Sequence, residues 1–351
     1  MTIQKSTTSV ENVKREVIAP EHRRFSRTEW ITYLGLLVVL LLFPIVITEP
    51  FVLTVAILTL MYATLALGWN FTGGLMGLPL FCSALFFGLG AYAAMTADTN
   101  FGLSPWIGLV IGVLTSMAVA WILGALTLRL DGHYFGVATF VVGAIAIAIF
   151  NNISSIGGVQ GMSAPIHDSE LYYMQWQQPR PYYYLFLGLL VLSVMLSETI
   201  HRGRLGLYLR AIKHNALGAA HLGVRVTRYR IFALMISAGV TSVAGSLYAS
   251  YVLFIDPTTV FAPEISVQIV IIALLGGLGY TAGALIGAAI LIPLGQYLNA
   301  ALGFSGQGWN LAIFGLAVIL IVIFRPTGIV GVLEDACRLR EEKAGHPEAR
   351  E

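Results

Sequence analysis

The sequence predicts an all-α integral membrane protein, with about ten transmembrane helices (8–10) in two halves of inverted topology. Three observations carry this. Of 351 residues, 57% are hydrophobic and only 11% charged, against about 25% charged in soluble domains. Mean hydropathy is +0.80, so too few polar side chains exist to cover a water-facing surface, and the lipid bilayer is the expected solvent. Two stretches lack Asp, Glu, Lys and Arg altogether, 48 residues from Pro50 to Ala97 and sixty from Ile265 to Phe324. Finally, the basic residues sort to one side once spans are drawn.

A hydrocarbon core of about 30 Å takes roughly 20 helical residues to cross. Residues 1–30 carry Lys5, Lys14, Arg15, Arg23, Arg24 and Arg27 with four glutamates. No apolar stretch with a cleavage site follows directly, so they are expected to be a retained cytoplasmic tail rather than a signal peptide. The membrane domain, 31–325, begins with a span at 31–47 that stops at Glu49-Pro50. The first uncharged stretch is too long for one crossing and fits two, 51–70 and 75–96, broken at Gly73-Gly74. Further spans are expected at 105–128, 134–150, 182–200 and 231–254. The second uncharged stretch fits three, 265–278, 281–298 and 309–324, followed by a cytoplasmic tail at 326–351. The segment 265–278 is short and glycine-ended, and 68–90 and 265–290 could be re-entrant instead, which would lower the count to eight or nine.

Placing the N-terminus in the cytoplasm puts 19 of the 20 Lys and Arg inside and leaves only Arg180 outside. The outer loops carry Glu49, Asp98, Asp168, Glu170, Asp256 and Glu264. This is the positive-inside pattern, and an odd helix count would scatter the later charges. Both termini are therefore expected in the cytoplasm.

Two glycine-rich apolar hairpins recur. One holds Gly73, Gly74, Gly77 and Pro79, then Gly88 and Gly90; the other holds Gly276, Gly277 and Gly279, then Gly283 and Gly287. Spans five apart run in opposite directions, and paired glycine-interrupted segments in inverted halves point to a transport site. Close helix packing also explains such glycines, Gly283-x-x-x-Gly287 in particular.

The chain has no G-x-x-x-x-G-K-[ST] phosphate loop, no H-E-x-x-H, and no carboxylate in the middle of a predicted span. Cys82 and Cys337 form no C-x-x-C pair, so a disulfide or metal site is not expected. An enzyme is not expected either, and nothing points to nucleic acid.

The internal loop 201–230 is the longest on the basic side. Read as one helix, Ala216, Ala219, Ala220 and Gly223 share a small-residue face. Arg210, His214, Leu217 and His221 line the adjoining side, and Lys213 and Gly218 fall between. Such a face suits close approach of another protein, whereas the arginines alone suit a topology anchor; the residues leave both open.

With its surroundings, the loop resembles the LivM-type permease family of branched-chain amino acid ATP-binding cassette (ABC) transporters. The matching stretches are Leu67-Gly68-Trp69-Asn70, Phe86-Phe87-Gly88-Leu89-Gly90-Ala91-Tyr92 and Leu130-Asp131-Gly132-His133-Tyr134-Phe135. Others are Gly157-Gly158 with Gly161-Met162, Gly206 to Tyr229, Leu274 to Gly279, and Phe324-Arg325-Pro326-Thr327-Gly328. Together they span about residues 55–332. The sequence departs from the pattern at Leu217-Gly218-Ala219, where an acidic residue is missing, and at Tyr280-Thr281-Ala282.

The resemblance implies an ABC importer permease fold in the bacterial inner membrane. It also implies a sister permease subunit, two cytoplasmic ABC ATPase subunits that hold ATP and Mg, and a periplasmic substrate-binding protein; no cofactor is expected in this chain. Loop 201–230 would couple to the ATPases through Arg210, Lys213, His214, Ala216, Leu217, Gly218, Ala219, Ala220 and Gly223. Candidate pathway-lining groups are Asn70, Thr72, Ser83, Thr139, Asn151, Gln268 and Gln296, for each of which an interhelical hydrogen bond is the alternative role. The outer loop Asn151–Pro181 would receive the binding protein or simply connect two spans. Substrates would be branched-chain or other small aliphatic amino acids, with urea or short amides as the alternative. A self-contained secondary carrier, a channel, and a membrane scaffold are the competing classes.

Overall fold

The computed structural model describes residues 27–128, 132–167, 170–302 and 315. Helix α1 (Arg27–Val46) belongs to a unit of its own. It exposes Val39, Leu41, Leu42, Ile45 and Val46, an apolar surface suited to lipid. The second unit, from Ile47 onward, contains α2 (Pro50–Asn70), α3 (Ser83–Phe101), α4 (Pro105–Thr127) and α5 (Gly132–Asn151). Then come β1 (Met162–Ser163), α6 (Glu170–Tyr173), α7 (Arg180–Arg202), α8 (Arg204–His214), α9 (Ala216–His221) and α10 (Val226–Val252). It continues with β2 (Phe254–Ile255), α11 (Pro257–Val260), α12 (Pro263–Gly276) and α13 (Thr281–Leu302).

Among the described residues, seven helical stretches are long and apolar enough to cross a membrane: α2, α4, α5, α7, α10, α11 with α12, and α13. About ten were expected; the last of them, 309–324, lies outside the described residues apart from Gly315. Proline opens α2, α4, α11 and α12, where its fixed φ suits the first turn and its missing N–H costs nothing.

Burial separates the layers. In both α2 and α10, 61% of the most apolar window is buried, against 22% in α4 and 28% in α5. Helices α2 and α10 are therefore the core and pack on each other, with α3 and α4 against α10 and with α7, α12 and α13 against α2, and α4 and α5 lie at the rim. The α3–α10 crossing is close. A Cβ on Gly90 would stand 2.0 Å from the Ser242 carbonyl oxygen, and one on Gly245 2.0 Å from that of Phe87. The Ser246 hydroxyl donates to Gly90 O at 2.9 Å across it.

The expected span 75–96 is displaced: α3 starts at Ser83, and residues 71–82 are turn and irregular chain. Gly73, Gly74, Gly77 (φ +75°) and Pro79 disfavour a helix there, while apolar composition alone cannot tell a helix from buried irregular chain. Irregular backbone inside an apolar bundle must have its polar groups satisfied by protein. Here Leu75 N–H donates to Asn70 O (2.9 Å), Leu78 N–H to Thr72 O (3.2 Å) and Trp69 Nε1 to Leu80 O (2.7 Å).

Helix α3 consequently begins inside the bundle. Ser116, the twelfth of 23 residues in α4, lies 3.5 Å through its hydroxyl from Phe86 O. Ser83 is thus about one turn from the level of the middle of α4. The segment after α10 enters from the opposite end: a Cβ on Gly88 would stand 2.2 Å from the Phe261 ring, and Ala84 N–H donates to Ser266 Oγ at 2.9 Å. Helices α3 and α12 therefore start side by side within the bundle and run to opposite ends.

One end of this unit carries Arg202, Arg204, Arg210, Lys213, Arg225 and Arg228, and is called the basic end below; the other carries Asp98, Glu170 and Asp256. At the acidic end β1 pairs antiparallel with β2, Met162 opposite Ile255, and fastens the 151–181 segment to the α10–α11 connection. The Asp98 carboxylate meets His167 Nε2 at 2.8 Å, and the His167 ring stacks on Tyr173 at 3.6 Å.

Candidate functional site

Helices α8 and α9 form the surface of the basic end. Gly206, Leu209 and Ile212 are the buried face of α8, while Arg210 turns back so that Nη2 donates to His201 O at 2.9 Å. The single helix expected through 210–223 is corrected to two. Asn215 sits in extended backbone between them, and its Oδ1 accepts from Gly218 N–H at 2.8 Å, capping α9. Asparagine's short side chain competes with the helix ladder in this way. Arg210 and His214 therefore lie on a different helix from Leu217 and His221. Gly223, at φ +87°, closes α9: Gly223 N–H donates to Ala220 O and Val224 N–H to Ala219 O. Of the small residues, Ala219 is buried, Ala216 and Gly218 are partly covered, and Ala220 and Gly223 are exposed. Leu217 (76% exposed) and Leu222 (88%) project outward.

Lys213 links this surface to the bundle. Its Nζ donates to Gly74 O at 2.8 Å, and its stem crosses Gly77, where a Cβ would stand 2.9 Å from Lys213 Cγ. Partial burial lowers the ammonium pKa from its ordinary value. The two glycine-rich segments meet just behind it. Asn70 Nδ2 donates to Tyr280 O (3.2 Å), Asn70 Oδ1 accepts from Gly279 N–H (3.3 Å), and a Cβ on Gly74 would stand 2.8 Å from Gly279 N. The Trp69 indole covers Gly73, and the Thr72 hydroxyl donates to Trp69 O at 2.9 Å. Gly277 (φ +119°) and Gly279 (φ +85°) make the second turn. Beyond it α12 and α13 touch at Gly276 against the Gly283 carbonyl and Gly287 against that of Ile272.

The other sequence-predicted polar groups fall elsewhere. Thr139 on α5 accepts from Phe81 N–H at 3.2 Å and donates to Gly136 O at 2.9 Å. Ser83 Oγ and Asn151 Oδ1 are buried with no hydrogen-bond partner among the described residues. Gln268 and Gln296 are half-buried on α12 and α13. Ser83, Thr139 and Ser266 are together at the start of α3; Asn70 and Thr72 belong to the basic-end junction. Ser266 and Asp256 were missed by sequence reasoning. Asp256 had a signal, since Asp-Pro-Thr-Thr is a capping pattern; Ser266 had none, because its partner Ala84 is 182 residues away.

The helical bundle with its apolar exterior defines a multi-pass membrane protein. Its family follows from comparison with known sequences: the chain belongs to the branched-chain amino acid transport system / permease component family, whose profile matches residues 51–323. It is 26% identical over 335 residues (89% of this chain, 77% of the relative) to the high-affinity branched-chain amino acid transport system permease protein LivM of Salmonella typhimurium. It is 28% identical to LivM of Escherichia coli (strain K12), over 88% of this chain and 77% of the relative. The probable LivH permease of Methanocaldococcus jannaschii is 26% identical, over 76% of this chain and 88% of that one. No solved structure matches.

Proposed function

We propose that this chain is a permease subunit of an ABC importer, forming half of the pathway for branched-chain or other small aliphatic amino acids. The match of the family profile over residues 51–323 carries this reading. The basic end faces the cytoplasm of a bacterial inner membrane, both termini lie there, and about ten spans form two inverted halves. In support, α2 and α10 are each followed by an irregular segment and then a helix that starts inside the bundle, entered from opposite ends, as expected of discontinuous helices in inverted repeats.

A sister permease completes the pathway, two ATPase subunits bind ATP and Mg, and a binding protein delivers substrate to the 151–181 segment, where Val159, Ile166 and Leu171 are exposed. Helix α9 and the residue that follows it receive the ATPase motion through Leu217 and Leu222. Lys213 passes it to Gly74, and so to the junction of the two glycine-rich turns. The chain itself supplies no nucleotide chemistry.

The test is ATP hydrolysis by the assembled complex in nanodiscs. Hydrolysis stimulated by substrate-loaded binding protein is expected, and Leu217→Asp with Leu222→Asp should abolish ATPase assembly while the permease pair still purifies intact. Full assembly of the double variant would contradict the docking role.

A further inference from the structure

The start of α3 carries a site that the coupling path does not use. Ser83 is its first residue and is 1% exposed, and its Oγ has no hydrogen-bond partner among the described residues. Side chains of a helix tilt toward its N-terminus, so this hydroxyl lies at the end that carries the positive pole of the helix dipole. Cys82, at the N-cap position, makes no side-chain capping bond, and no acidic residue occupies the first turn. Two further buried hydroxyls come from other helices: Ser266 of α12, which accepts from Ala84 N–H at 2.9 Å, and Thr139 of α5, which accepts from Phe81 N–H at 3.2 Å. Around them lies apolar core, including Cys82, Leu85 and Phe86.

A 19-residue helix that starts within an apolar bundle, with a buried unpartnered hydroxyl at its head, favours an anion there. The start of a second helix, α12, lies alongside and adds positive potential, partly offset by Glu264 in its own first turn. Among the described residues no Lys or Arg contacts Ser83, Thr139 or Ser266, so a group bound by dipoles and hydroxyls can leave again, as a transported group must.

We infer that the start of α3, with Ser83 and Ser266, binds the carboxylate of an α-amino acid in transit. This rests on the permease reading above. It makes Ser83 a substrate-contacting residue, and its hydroxyl donates to the carboxylate.

Equilibrium binding of radiolabelled leucine to the purified permease pair in nanodiscs tests this, with leucine and leucinamide as competitors. Leucine should compete, whereas leucinamide, which lacks the carboxylate, should compete at least tenfold more weakly. Ser83→Ala should weaken leucine binding about tenfold, and Ser83→Thr, which restores a hydroxyl, should recover most of it. Thermal unfolding of each variant shows that the fold is kept. If the wild-type pair binds no amino acid, the permease reading fails and the assignment with it. If it binds leucine and Ser83→Ala binds equally well, or leucinamide competes as strongly as leucine, the assignment alone is overturned.

Discussion

Lys213 illustrates what a single side chain adds. As a basic residue on the positive side it resembles any topology anchor, and its partner, the Gly74 carbonyl, lies 139 residues away in sequence. Nothing in the order of residues announces that contact; only the folded junction does. Lys213→Met keeps most of the stem over Gly77 but removes the donor. Its expected effect is several-fold more ATP hydrolysed per leucine imported, with Lys213→Arg closer to the native ratio; an unchanged ratio in the methionine variant would show that the contact transmits nothing.

Asp256 is the second case. Burial pushes its carboxyl pKa up, but hydrogen bonds from Thr258 and Thr259, side chain and backbone, more than offset this and hold it below the ordinary value. Its carboxylate accepts from Thr258 N–H at 2.9 Å and Thr259 N–H at 3.0 Å, capping α11. Because the folded-state pKa is depressed, the cap's contribution is complete above the unfolded pKa of about 3.9. It is lost as pH falls through the folded value. Asp256→Ala should cost about 1 kcal/mol, seen as a lower unfolding temperature in detergent at pH 7. Asp256→Asn should lose less and should not show this acid dependence. Equal unfolding temperatures for all three proteins at pH 7 would contradict the capping role.

At the scale of elements, helices that begin at proline and end at charge were legible, because hydropathy and proline placement both report a crossing segment. The 71–82 segment was not. It is as apolar as the helices beside it, and only its glycines and Pro79 hint that the chain leaves the helix. Where α3 starts decides where Ser83 lies, so this one displacement moved a candidate residue to the head of a buried helix. The break at Asn215 was likewise hidden, since alanines and glycine at helical spacing read as one continuous face.

The α3–α10 crossing is expected to tolerate no added methyl. Gly90→Ala places Cβ against the Ser242 backbone oxygen, which cannot move without shifting α10, and overpacking of this kind costs about 1–3 kcal/mol. Gly188→Ala on α7, which meets nothing within 4 Å, should be neutral or slightly stabilising. Thermal stability of the two variants in the same detergent checks the contrast; equal stability would mean the two helices are less closely packed than described.

For the whole molecule, the structure seats a basic, leucine-tipped surface on the bundle through the buried face of α8 and the Lys213–Gly74 contact, and places two helix starts together inside the bundle. The membrane class was legible from composition, and the family resemblance from an ordered set of short motifs. The meeting of the two glycine-rich turns was not, since Asn70 and Gly279 are 209 residues apart and are joined only by folding. On the proposed function, the pathway runs only as part of an ATP-driven assembly. Uptake of labelled leucine into proteoliposomes tests it directly, comparing the complete complex with preparations lacking ATP, the ATPase subunits, the sister permease or the binding protein. Accumulation against a gradient is expected only in the complete set. Uptake by this chain alone would contradict it.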